Sequence, residues 1–184
     1  GPLGSVARSV VSAATGAEVG LAAGYAARRV LGQYDLPIIG PELLKVETET
    51  GPRLLYDWVA DKLAARLNVD TSRLPQPLTL NDVVCSYLGQ RGRREEAYTR
   101  LRSIMREVQI APPMALRQLA QITDFDLFIT TTFDPLLEQA VNLERFGGQP
   151  HAEVIAYAPN RVSDLPAERS QLQRPVVYHM LGKL

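Results

Sequence analysis

Between Leu127 and Val141 the chain reads LFITTTFDPLLEQAV, and three threonines and an aspartate fall where an apolar run gives way to a helical one. Thr130, Thr131 and Thr132 carry hydroxyls that donate and accept, and Asp134 carries a carboxylate that only accepts, so this joint is furnished for a polar ligand. Two other apolar runs end in a comparable way. DLPIIG closes on Gly40, and PVVYHML carries His179 at its end with Gly182 close behind.

Each of these residues also has a purely structural reading. Threonine favours strands through its branched carbon, Asp134 suits the cap of a helix beginning at Pro135, and a histidine ending an apolar strand often serves as a hydrogen-bonded core residue. Glu42 after Pro41 fits the first turn of a helix. His151 reads as a surface turn residue, and Arg91, Arg93 and Arg94, diluted by Glu95 and Glu96, read as a solvated helix start.

The elements that must position these groups alternate between strand and helix. Strands are predicted near Asp35 to Ile39, Leu127 to Thr131, Val154 to Tyr157 and Val176 to His179. Leu54, Leu55, Trp58, Val59, Leu63 and Leu67 recur at helical spacing. Thr79 or Asn81 caps a second helix through Val83, Val84 and Tyr87, and Ala97, Leu101, Ile104, Met105 and Val108 stripe a third. MALRQLAQI resumes helically after Pro112 and Pro113, PLLEQAVNLERF forms the last helix, and Gly147 and Gly148 turn the chain into EVIAYA. Strands separated by helices favour a parallel sheet with helices on its faces, because a parallel return requires a crossover. The expected fold is α/β, a Rossmann-like parallel sheet flanked by helices with an added N-terminal helix over Val6 to Leu31. In such sheets ligands sit beyond the carboxyl ends of the strands, where Gly40, Thr130 to Asp134 and His179 all fall.

Composition narrows the function classes. Twenty basic residues balance twenty acidic ones in a chain of 184 residues, so no global field recruits nucleic acid or an anionic membrane. The N-terminal alanine- and glycine-rich stretch is broken by Arg8, Glu18, Arg28 and Arg29, leaving no apolar run of membrane-spanning length. Cys85 is the single cysteine; it closes no internal disulfide and, with only His151 and His179, builds no zinc site, which points to a reducing, cytoplasmic setting. GPLGS, residues 1–5, reads as the scar of a cleaved tag.

Taken in order, LPIIGPELL resembles the glycine-containing first strand-to-helix turn of the sirtuin fold, FITTTFDPLLE its strand ending in Thr-x-Asn-x-Asp, and VVYHMLG its strand ending in His-Gly. Their spacing is closest to the sirtuin-like domains of bacterial immune and anti-phage proteins, with residues 6–184 forming a single sirtuin-like Rossmann domain truncated at its C-terminus, a fragment of a longer chain. The resemblance implies NAD or an ADP-ribose-like nucleotide as ligand, without a metal. It assigns catalytic roles to His179 and Thr132 and cofactor binding to Gly40, Thr130 and Asp134. The partners it implies are other domains of a longer protein, with a homo-oligomer allowed and neither nucleic acid nor membrane.

Two departures shape the functional expectation. Thr132 stands where the family motif has asparagine, replacing an amide that both accepts and donates with one rotatable hydroxyl. Pro41 and Glu42 follow Gly40, so the first turn loses an N–H and gains a negative charge where phosphate would approach. The expectation is therefore a degenerate sirtuin-like module of bacterial defence or signalling, acting as nucleotide sensor or assembly platform with little NAD turnover. The alternative is an NAD-cleaving immune effector domain.

Overall fold

The computed structural model describes residues 36–157 and 171–184. Its elements run β1 (Ile38–Ile39), a 3-10 turn (Pro41–Leu43), β2 (Lys45–Thr48), β3 (Gly51–Leu54), α1 (Leu55–Arg66), α2 (Leu80–Gly89) and α3 (Arg94–Glu107). They continue with α4 (Met114–Ala120), β4 (Leu127–Thr130), α5 (Leu136–Phe146), β5 (Glu153–Ala156) and β6 (Val176–His179). The expected helix over Val6 to Leu31 and the tag residues 1–5 lie outside the described residues. The chain divides into two compact units, one spanning Gly1–Leu43 with Pro112–Leu184 and the other Leu44–Ala111.

The first unit holds a four-stranded sheet in the order β1-β4-β6-β5, with every neighbouring pair parallel. This is the expected α/β architecture, a parallel sheet flanked by helices. The strand β4 is central, and all four of its residues are buried, as a strand covered on both faces requires. Ile39, Thr130, His179 and Ala156 stand on one register row, so the carboxyl ends of the strands are level. Phe125 and Phe128 meet edge to face at 6.2 Å beside this layer.

Helix α5 follows β4 directly and buries Leu136, Leu137, Ala140 and Val141. It ends at Gly147, whose φ of +58° is left-handed, and Gly148 N–H closes the turn on the Asn142 carbonyl at 2.9 Å. Arg145 ties α5 to the end of α4: its guanidinium donates to the carbonyls of Ala120, Ile122 and Phe125 at 2.6, 2.7 and 2.8 Å. The Ile122 carbonyl also accepts from the Phe125 N–H at 3.2 Å, and one planar group reaches all three.

The second unit joins a hairpin to three helices. Strands β2 and β3 pair antiparallel, with Gly51 at φ +101° after the turn and the Thr48 hydroxyl donating to the Gly51 carbonyl at 2.7 Å. Helix α1 buries Leu55, Val59, Ala60, Leu63 and Ala64, a face at 3.6-residue spacing that packs on α2 and α3. Thr79 caps α2 in a reciprocal box with Asp82. Arg66 of α1 engages Glu107 of α3 through both guanidinium nitrogens. Among the described residues no helix is long and apolar enough to cross a membrane.

Candidate functional site

The residues singled out by sequence gather at the carboxyl edge of the parallel sheet. Gly40 follows the last residue of β1, and the backbone of Ile39 is held by the Thr131 N–H, which donates to its carbonyl at 3.0 Å. Beyond Gly40 the chain enters the 3-10 turn, with Leu43 N–H reaching the Gly40 carbonyl at 3.5 Å, and Glu42 is exposed.

At the β4–α5 joint the threonines serve one another. The Thr132 N–H donates to Thr130 Oγ1 at 3.1 Å, and the two hydroxyls stand 2.8 Å apart. A hydroxyl accepting from the amide two residues on is a local turn device, and it explains the clustering of threonine where the strand stops. Asp134 repeats the device: its Oδ1 accepts from the Leu136 N–H at 3.0 Å and starts α5 one residue ahead of the cap position. Thr130, Thr132 and Asp134 are all buried.

His179 lies at the end of β6 and is 0% exposed. Its Nδ1 stands 2.9 Å from the Thr132 carbonyl oxygen, which only accepts, so Nδ1 carries a proton and donates it. Its Nε2 stands 3.0 Å from Glu138 Oε2. One proton lies on that second contact, as an imidazolium facing a carboxylate or an imidazole facing a carboxylic acid. Lys183 Nζ approaches the other oxygen, Glu138 Oε1, to 2.6 Å, a charge contact that is not aligned as a hydrogen bond.

These neighbours decide the form Glu138 adopts. Burial works to raise its pKa, but the hydrogen bond and charge of His179 and the ammonium of Lys183 together outweigh it, and the carboxyl is held below the ordinary value of 4.5. The carboxylate form is therefore favoured, and the Thr132–His179–Glu138–Lys183 chain is closed on itself. A base acting on a ligand needs a lone pair facing that ligand. In this arrangement both imidazole nitrogens face protein atoms.

Glu138 and Lys183 were not among the residues that sequence reasoning selected. Glu138 lies three residues before Val141 and thus on the buried side of α5, and a carboxylate at a core-facing helical position was the signal available. Cys85 and His151 are both exposed. Among the described residues no group of three or more His, Cys, Asp or Glu is arranged to hold a metal ion.

The sheet and its edge define the chain as an α/β protein of Rossmann-like architecture. No protein-family model, curated protein or solved structure matches the chain.

Proposed function

We propose that this protein is a sirtuin-like nucleotide-binding module that takes NAD or ADP-ribose at the carboxyl edge of its parallel sheet and acts as a sensor or assembly platform with little NAD turnover. The nucleotide assignment rests on the resemblance of the three strand-end motifs, and the edge is where parallel sheets of this kind receive ligands. One observation carries the preference for binding over cleavage: His179 is buried, with Nδ1 committed to the Thr132 carbonyl and Nε2 to Glu138. The substitution of Thr132 for asparagine acts in the same direction, since loss of a positioned polar group typically costs about two orders of magnitude in rate or more. A role in bacterial defence, cytoplasmic localisation and attachment to further domains belong to the same reading.

The test pairs calorimetric titration of NAD and ADP-ribose with an assay of nicotinamide release from NAD, run on the protein and on His179→Ala. Saturable binding of either nucleotide without release is the expected result. Release that disappears in His179→Ala would make the protein an NAD hydrolase. Absence of binding by both nucleotides would reject the nucleotide assignment.

A further inference from the structure

Beyond β6 the backbone stays on the sheet edge. Met180 N–H donates to the Thr130 carbonyl at 3.0 Å, Gly182 N–H to the His179 carbonyl at 3.2 Å, and Leu184 N–H to the Phe133 carbonyl at 3.2 Å. Residues 180–184 thus turn at Gly182, whose φ is +87°, and run back over the β4–α5 joint. They take the carbonyls on either side of Thr132. Lys183 anchors the turn through its ion pair with buried Glu138, while its own side chain remains 31% exposed.

The segment is held by few contacts. Leu181 is 66% exposed, so apolar burial does not fasten its tip. Met180 and Leu184 are half-buried, and beside them the segment has a handful of backbone hydrogen bonds, each with a net worth of about 1 kcal/mol, and one ion pair. Segments attached in this way open locally well before the rest of the fold.

We propose that residues 180–184 form a strap that gates access to Thr130, Thr132 and His179 from the carboxyl edge of the sheet, latched by Lys183 on Glu138, and that the strap lifts when a ligand enters. The ligand part of this inference rests on the nucleotide reading given above. A phosphate-bearing ligand at this edge offers Lys183 a second anion, so lifting the strap exchanges one ion pair for another. Glu138 then keeps His179 as its remaining partner. The strap explains how a site can be built from polar groups that are all buried and still receive a polar ligand.

Hydrogen exchange on the intact chain tests the gate at two places. The amides of residues 182 and 184 report the strap, and the amide of Thr132, which donates to buried Thr130 Oγ1 at 3.1 Å, reports access to the joint beneath it. Lys183→Met removes the latch while keeping the aliphatic stem, and Gly182→Ala strains the turn without touching a charge. Both variants should speed exchange at residues 182 and 184 by roughly tenfold and at Thr132 by a similar factor. The amides of Ile129 and Ile155 in the sheet should stay at their original rates. Unchanged exchange in both variants would overturn the latch. Fast exchange at residues 182 and 184 with Thr132 still protected would show that the segment covers nothing and overturn the gate. A rise that extends equally to Ile129 and Ile155 would reflect general loosening and likewise overturn it. No readout uses a nucleotide, so the strap and the ligand assignment fail separately.

Discussion

Glu138 is a carboxylate placed where the inward face of a helix would ordinarily carry leucine, and it is tolerated because His179 and Lys183 each meet one of its oxygens. Its titration is coupled to stability with a definite sign. The folded state holds the pKa of this carboxyl below the ordinary 4.5, burial opposing and the two cationic partners prevailing. A lowered carboxyl stabilises the fold above its unfolded pKa, and the contribution disappears as pH falls through the folded value. As pH falls through 4.5 and below, the protein should lose stability more steeply than Glu138→Gln, as read from urea midpoints. Equal slopes in the two proteins would show that Glu138 contributes nothing to the acid limb. Sequence made Thr132 and His179 legible as neighbours, because both end apolar runs that had to be adjacent strands. Glu138 was passed over because glutamate in a helix reads as solvent-facing, although its spacing to Val141 puts it on the buried side of α5.

At the scale of elements, the best-read parts were those with strong periodicity. α1, α3 and α5 and strands β4, β5 and β6 fall where apolar spacing put them. The hairpin of β2 and β3 was not anticipated. Its exposed positions carry Lys45, Glu47, Pro52 and Leu54, and Pro52 sits inside β3, opposite Glu47, where a proline ordinarily argues against a strand. A two-stranded ribbon tolerates it because only one side of each strand is paired. The short helix α4 falls where MALRQLAQI reads as helical, and the Arg145 guanidinium spreads over three carbonyls at and beyond its end, a contact that periodicity cannot display. Arg145 also lies 5.2 Å from the Phe128 ring centroid. Arg145→Met retains most of the apolar stem but removes the guanidinium from all three carbonyls, of which that of Ile122 keeps the Phe125 N–H at 3.2 Å. The expected loss is about 2–3 kcal/mol in chemical denaturation, with amide protection falling first around Gln121 and Ile122. A loss below about 0.5 kcal/mol would mean that water replaces the guanidinium fully.

At the scale of the whole molecule, the helical unit interrupts the sheet unit along the chain. Ile38 pairs with Ile129 and Ile39 with Thr130, although all of Leu44–Ala111 intervenes between the paired strands. By contrast β5 and β6 are joined by a much shorter connection. This arrangement imposes an order on assembly. Closing a loop costs more as its disordered length grows, and long-range pairing is correspondingly slow. A folded Leu44–Ala111 unit replaces that disordered length with the span between its own ends, so β1 gains its place most readily after the insert has formed. Leu63→Ala, at a fully buried position of α1, should weaken the insert by about 2–4 kcal/mol. In pulse-labelled refolding it should delay protection of the Thr131 amide, which closes on the Ile39 carbonyl, while leaving the Tyr157 amide, bonded to the His179 carbonyl, on its original time course. Simultaneous delay at both amides would indicate that the sheet forms as one piece. The inserted unit then acts as a timer for the edge of the sheet: Gly40 reaches the carboxyl edge last, and a chain still being synthesised has the polar β4–α5 joint in hand only after the insert has had its chance to fold.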